Sequence, residues 1–295
     1  MELTHAMVLD RARELFYTTV TGADEVLRYG APVGSVIEYH RCLGRCMERL
    51  EELLSVTVKK DRSLPCGTVI IAGHLNAAVG RFNRQWHAPQ GGLWLAMAWS
   101  DTLLPAFAGL LPLSVGIACC ETIRMHGITA CLKWVNDVHV RGRKLAGILC
   151  RTITAPEGQR YHLLGVGING NNQDFPDELR DTAISMRALT GCTVELQQLA
   201  LDLLARLVWN IGLLHLQEAD HLENGSQQVV GLPGVVSRWK NLSDTVGRDV
   251  VFGHDVQRTP LYRAKVLDID RWGGLVLRLG DGAERIEYAG ELLYC

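Results

Sequence analysis

The sequence predicts an α+β protein: a mixed, largely antiparallel sheet with helices on one face, followed by a small all-β module at the C-terminus. Three observations predict it. A few segments carry apolar residues at helical spacing, most clearly 196–216. Between them stand short apolar runs rich in β-branched residues, several joined by hairpin-length connections, which disfavours a doubly wound parallel sheet. From Val246 onward only short alternating runs remain, separated by the turns Gly253-His254-Asp255, Arg271-Trp272-Gly273-Gly274 and Gly280-Asp281-Gly282.

Taken in order, helical spacing covers 9–16 and 23–27 before Gly30, Pro32 and Gly34 break it. Residues 33–39 read as a strand, and 46–54 as a helix with charged residues between its apolar ones. Pro65-Cys66-Gly67 is a turn into a buried strand at 68–72. A loop bearing glycine and arginine spans 73–84, and 93–99 is a second strand. Residues 110–125 form a buried helix. Short strands at 130–134 and 138–140 flank Val135-Asn136-Asp137, Gly142 turns the next hairpin, and strands follow at 145–154 and 161–168.

Composition bounds the function classes. The 295-residue chain is 47% hydrophobic and 21% charged with a net charge of -2, which gives no general reason to expect nucleic acid or an acidic membrane as partner. No uninterrupted apolar run reaches the roughly 18–20 residues of a membrane span. The N-terminus lacks a basic segment followed by an apolar one, so no secretory signal is expected and the cytoplasm is the expected compartment. Nine cysteines without a Cys-x-x-Cys pair of pairs suggest reduced, mostly buried thiols rather than a disulfide scaffold or a structural zinc site; no metal ligands are assigned.

Three segments carry candidate chemistry. Gly80-Arg81-Phe82-Asn83-Arg84-Gln85-Trp86, with Pro89 and Gly91-Gly92 after it, sets two arginines on a loop that follows a strand. Guanidinium forks match phosphate oxygens and Trp86 could cover a flat ring, although a solvated basic loop fits equally well. Lys133-Trp134-Val135-Asn136-Asp137 and the run Arg141-Gly142-Arg143-Lys144 through Leu149 form a hairpin that brings Asp137 and Lys144 to one end of the sheet. That pair suits a nucleotide and a reacting carboxylate, or a plain surface ion pair worth about 0–1 kcal/mol. Gly165-Val166-Gly167-Ile168-Asn169 puts two glycines on an apolar strand, as where a ligand or another backbone approaches closely.

Together and in this order, the segments resemble the biotin–protein ligase family of the biotin/lipoate ligase superfamily. The family pattern runs from a Gly-Arg loop ending in tryptophan through Lys-Trp-Pro-Asn-Asp and Lys-x-x-Gly-Ile-Leu to Gly-x-Gly-Ile-Asn. Here these read Gly80-Arg81 to Trp86, Lys133-Trp134-Val135-Asn136-Asp137, Lys144-Leu145-Ala146-Gly147-Ile148-Leu149 and Gly165 to Asn169. Ala183-Ile184-Ser185 looks like the family's turn into its later helices, and the C-terminal module ending in Ala289-Gly290-Glu291 is similar to its SH3-like domain. The resemblance implies a class II synthetase-like catalytic domain over 33–238 and an SH3-like barrel over 239–295, with 1–32 as an N-terminal helical extension.

It also implies an activity: biotin and ATP give biotinyl-5'-AMP and pyrophosphate, and biotin then passes to one lysine of a carboxylase's biotin carboxyl carrier domain. By the resemblance, Lys144 contacts the carboxylate and α-phosphate, Arg81 retains the adenylate and Asp137 acts beside them. Trp86 packs on adenine, with Asn136 and Asn169 placing the nucleotide and Gly147, Gly165 and Gly167 lining the biotin pocket. Gly80, Arg84, Gly91, Gly92, Trp94 and Lys133 fall in the same binding set, and Mg²⁺ would shield pyrophosphate. A homodimer is left open, since two-domain relatives often pair through a sheet edge.

The chain departs from the pattern in four places. Arg45-Cys46-Met47 stand where Ser-Thr and Asn or Met hold the biotin ureido ring, Leu75 replaces a glutamine, Ala78-Val79 replace the first Gly-Arg, and Phe82-Asn83 replace Arg-Gly in the second half of the loop. A polar group buried without its hydrogen bond costs about 1–3 kcal/mol. Three rivals to a biotin ligase therefore stay open. One is the same chemistry on a greasier acid such as lipoate or a fatty acyl chain. Another is a catalytically weak paralogue that binds biotin or a carrier. The last is a DNA-binding repressor–ligase, for which some thirty N-terminal residues without a basic recognition helix are a poor match.

Overall fold

The computed structural model describes residues 2–17, 22–58, 63–225 and 232–295. The main sheet has seven strands: β1 (Ile37–His40), β2 (Thr68–Ala72), β3 (Leu93–Ser100), β4 (Cys131–Lys133), β5 (Asp137–Val140), β6 (Arg143–Thr154) and β7 (Arg160–Ile168). Their order is β1-β2-β3-β7-β6-β5-β4, with β1 and β2 parallel and every other pair antiparallel. All of β2 and β3 is buried, which is why both read as unbroken apolar runs instead of alternating ones.

Strand alternation sorts side chains into two cores. Val69, Ile71, Leu95, Met97, Trp99, Leu164 and Val166 face the larger core. There they meet α1 (His5–Phe16), α4 (Pro105–Ala108), α5 (Leu111–Arg124) and α7 (Leu196–Asn224). Ile70, Ala72, Ala96, Ala98, Tyr161 and Leu163 point the other way, onto α3 (Cys46–Val58). That helix covers only the β2, β3 and β7 part of its face, and the uncovered remainder becomes the site described below. Short α6 (Met186–Thr190) is capped by the Ser185 hydroxyl, which accepts from Ala188 N at 3.2 Å.

Pro105–Arg124 and Leu196–Asn224 are long and apolar enough to cross a membrane by length and composition, but 72% and 78% of their most apolar windows are buried inside the protein. They are core helices of the kind that is apolar all round. The N-terminal helices join the same packing. Phe16 stacks on Trp209 at 4.5 Å, and α2 (Ala23–Gly30) crosses α7 at a glycine pair. A Cβ on Gly30 would lie 1.8 Å from Val208 O, and one on Gly212 would lie 2.0 Å from Val26 O.

Several boundaries differ from expectation. The first strand starts at Ile37 instead of 33, because Gly34 sits at φ 76 and its N–H bonds Gly67 O, making 31–36 a turn. Helix α7 runs eight residues past 216, because the polar residues there are internally paired: Gln217 accepts from Val235 N and Glu218 from Leu104 N. An additional helix, α8 (Val235–Leu242), spans the expected 238/239 boundary, and its Trp239 is buried in the larger core.

The C-terminal module is a five-stranded antiparallel sheet of β8 (Asp249–Gly253), β9 (Tyr262–Ile269), β10 (Leu275–Leu279), β11 (Glu284–Glu287) and β12 (Glu291–Tyr294), in the order β11-β10-β9-β8-β12. It docks beside β4: Ser243 Oγ donates to Leu132 O, and Trp134 Nε1 donates to Gly273 O at 3.0 Å.

Candidate active site

The site begins with a register shift. Val138 pairs with Ala146, but His139 pairs with Lys144, so Leu145 is an extra residue in β6. Such a bulge re-aims the side chain beside it. Leu145 goes fully into the larger core with Ala146, while Lys144 turns to the same face as Gly147. Its ammonium meets Asp137 Oδ1 at 2.5 Å, confirming that the hairpin joins these two residues. The Lys144 backbone is fixed by Thr182 and Ile184, and Ile184 O accepts from Asn169 Nδ2.

Next to the pair lies a floor of glycines. Gly147 and Gly167 face each other across β6 and β7, and Gly165 sits one pleat further along. The indole of Trp86 lies over the first two: a Cβ on Gly147 would be 3.2 Å from its ring, and one on Gly167 3.2 Å from its Nε1. That Nε1 is buried without a hydrogen-bond acceptor, and Lys144 Nζ stands 5.0 Å from the ring centroid. Met47 Sδ would be 3.2 Å from a Cβ on Gly165. Buried Cys46 points its Sγ at Trp94 O, 3.6 Å away, and burial pushes its thiol up to about 12. Trp94 itself is anchored by Nε1 donating to Pro89 O, and leaves no room for a Cβ on Gly92. Gly91 has φ 105, and its carbonyl accepts from Asn171 N. Arg45 turns outward to Ala77 O and Glu48.

The arginine loop is ordered as a small hairpin. Gly80 N donates to Arg84 O at 2.8 Å and Trp86 N to Ala78 O at 3.0 Å, with Phe82 and Asn83 left-handed between them at φ 57 and 56. Its guanidiniums reach toward the C-terminal module. Arg81 Nη1 donates to Gly290 O at 2.8 Å and more distantly to Asn136 Oδ1, and burial lowers its pKa. Arg84 is held between Glu291 and Asp255. Sequence reasoning missed Asp255, which carries no signal beyond its place in a turn.

A small pocket between the sheet and the module is lined by Lys133, Asn136, Asp137, Arg84, Gln257 and Glu291. Lys133 is half-buried there, its ammonium 4.7 Å from the Tyr294 ring, and burial lowers its pKa. The structure thus brings Lys144, Asp137, Lys133, Asn136, Arg81, Trp86, Gly147 and Gly167 to one end of the sheet, with Gly165, Met47, Cys46 and Trp94 packed beside them. Two expected residues are committed to other contacts. Arg84 lines the pocket but is paired with two carboxylates, and Asn169 is 3% exposed with its amide bonded to Ile184 O and Asn172.

A sequence model of the Biotin/lipoate A/B protein ligase family matches residues 55–171, which include the arginine loop, the Lys144 hairpin and the glycine floor. The chain is 32% identical to the biotin--[acetyl-CoA-carboxylase] ligase of Mycobacterium tuberculosis over 77% of its own length and 79% of that protein. The chain belongs to the biotin–protein ligase family. It is also 30% identical to the bifunctional ligase/repressor BirA of Bacillus subtilis over 57% of its own length, and spans only about half (52%) of that relative. The family fold is shared as well. The biotin protein ligase from Aquifex aeolicus in complex with biotin and ATP superposes with a TM-score of 0.69 at 21% identity, covering 88% of this chain and 98% of that one.

Proposed function

We propose that this protein is an ATP-dependent biotin–[carboxyl-carrier protein] ligase, forming biotinyl-5'-AMP and transferring biotin to a lysine of a biotin carboxyl carrier domain. The observation that carries the reading is the Lys144–Asp137 pair set by the bulge beside Gly147 and Gly167, on which the indole of Trp86 rests. Two anions, a carboxylate and an α-phosphate, must meet for the first step, and preorganised positive charge lowers that barrier. In the proposed reaction a carboxylate oxygen attacks the α-phosphorus and pyrophosphate leaves. The carrier lysine's amine then attacks the acyl carbon and AMP leaves. Lys144 neutralises the attacking carboxylate, Asp137 fixes the lysine's position, and Arg81 closes on the nucleotide.

Among the described residues no three His, Cys, Asp or Glu side chains converge as a metal cage. Mg²⁺ would arrive with the ATP phosphates and neutralise charge on the leaving pyrophosphate, with Asp137 and Glu291 as the carboxylates lining the pocket to meet it. The nine cysteines are all unpaired, which supports a reducing, cytoplasmic setting.

A second reading, the same chemistry on a more apolar acid, is favoured by the packing beyond Gly165. Met47, Cys46 and Leu75 make an apolar cluster there, while Arg45 points away. Acid-dependent pyrophosphate release separates the two. Biotin turnover lost in Lys144→Ala establishes the ligase; turnover with lipoate or octanoate alone moves the assignment to another acid. Thermal stabilisation by biotin without any turnover would instead mark a binding-only paralogue.

A further inference from the structure

Two cations, Arg84 and Lys133, line the pocket between the sheet and the C-terminal module, and a third, Lys144, stands next to it. Arg84 is paired with Asp255 and Glu291, and Lys144 with Asp137. Lys133, opposite Asp137 in the β4–β5 register, forms no ion pair with a carboxylate among the described residues; its ammonium rests on the face of Tyr294. We infer that Tyr294 is a positioning residue, whose ring aims the Lys133 ammonium into the pocket as a receptor for the polyphosphate of ATP.

The surrounding contacts fit this role. The Tyr294 hydroxyl hydrogen-bonds Thr245 Oγ1 at 2.8 Å and donates to Asp244 Oδ1 at 3.0 Å. Thr245 Oγ1 accepts from Trp134 N at 3.1 Å, next in the chain to Lys133. Asp244 Oδ1 is also 2.9 Å from His139 Nε2, two residues beyond Asp137. The ring beneath Lys133 is thereby tied to both sides of the 133–137 turn. Asp137, Glu291 and Asp244 act on Lys133 from farther off without pairing with it, so no carboxylate occupies the ammonium directly and it stays available to a phosphate. An aliphatic residue at 294 would fill the space without holding the ammonium.

This inference rests on the proposed ATP-dependent reaction, so its test has an arm that does not need turnover. Kd for MgATP would be measured by calorimetry on the full chain for wild type, Lys133→Met, Tyr294→Leu, Tyr294→Phe and the Lys133→Met/Tyr294→Leu double variant. Thermal melts and ATP–pyrophosphate exchange would accompany it. Tyr294→Leu is expected to weaken MgATP about tenfold and Tyr294→Phe, which keeps the ring, only about threefold. KM for the acid should stay within about twofold, and Tyr294→Leu should add nothing to Lys133→Met. Additive losses in the double variant, or equal rises in both substrates' KM, would overturn the positioning role. If Tyr294→Leu does not fold, Tyr294→Trp decides: a preserved ring face should keep MgATP binding within about threefold, and losing it would overturn the inference. A wild-type chain that binds MgATP but exchanges pyrophosphate with no acid would sink the proposed ligase activity while leaving the calorimetric result on Tyr294 standing.

Discussion

Replacing Lys144 with glutamine tests the site at two levels. The side chain keeps most of its length, so the groove changes little in shape, but the charge beside Asp137 and the cation over Trp86 are lost. The two partners' side chains are 33% and 26% exposed, so solvent screens the pair and its coupling should be about 1 kcal/mol. For a chain of this size that is a fall in melting temperature of about 2 °C, largely restored by adding Asp137→Asn. The kinetic loss should be far larger, because two anions then meet without their fixed counter-charge. A fall of about 10²–10³ in kcat for acid-dependent ATP–pyrophosphate exchange is expected. Exchange at the wild-type rate in Lys144→Gln would refute the assignment of Lys144 to the chemistry. A melting loss above about 8 °C would mean the lysine is chiefly structural.

Further expectations follow from the packing and the titrations. Gly212→Ala puts a methyl 2.0 Å from the Val26 carbonyl, forcing α2 off α7, and should cost about 3 kcal/mol or more in chemical denaturation, whereas Gly142→Ala, with open space around it, should cost only the strain of its φ of 82. Burial holds His215 down near a pKa of about 4, and its Nε2 faces Trp99 Nε1. The unfolded chain therefore binds a proton that the folded one refuses between about pH 6.5 and 4, and stability should fall through that window by about 3 kcal/mol, a slope flattened in His215→Gln. Asp244 acts with the same sign in a more acidic window. Burial would raise it, but His139, Arg248 and Tyr294 bring it down to about 2, so its contribution is full above its unfolded value and lost as pH falls toward 2; Asp244→Asn should remove that part of the acid-melting curve. Asp255→Ala with Glu291→Ala frees Arg84, and trypsin should then cut the 80–86 loop faster than in wild type, measured by mass spectrometry of the fragments.

Much of the molecule could be read from local signals. The strands at 68–72, 93–99 and 161–168 carry β-branched or apolar runs whose meaning does not depend on context. Asp137 and Lys144 were legible as a pair because a glycine turn between two short strands leaves few other registers. The bulge at Leu145 was not, since an extra residue in a strand leaves no mark in periodicity over so short a hairpin. Neither the internal pairing of Gln217 and Glu218 that extends α7, nor the capture of Arg84 by Asp255, could be seen, because both partners lie far away in sequence. Asn169 stands in a motif that suggested the nucleotide, and its burial against Ile184 shows how a polar residue near a site can serve the scaffold.

The extra residue at Leu145 also sets what kind of sequence change the site can absorb. On its core side, Ala146, Ile148 and Cys150 can trade volume by the ordinary rules of packing without moving the lysine. A change of length is different. Removing one residue from 141–143 would let the hairpin close without the bulge and send the ammonium toward the apolar face, whereas removing Leu145 itself would keep Lys144 on the face of Gly147. A library of single deletions through this hairpin should therefore spare function at Leu145 and abolish it at 141–143, a pattern that a library of substitutions at the same positions would not show.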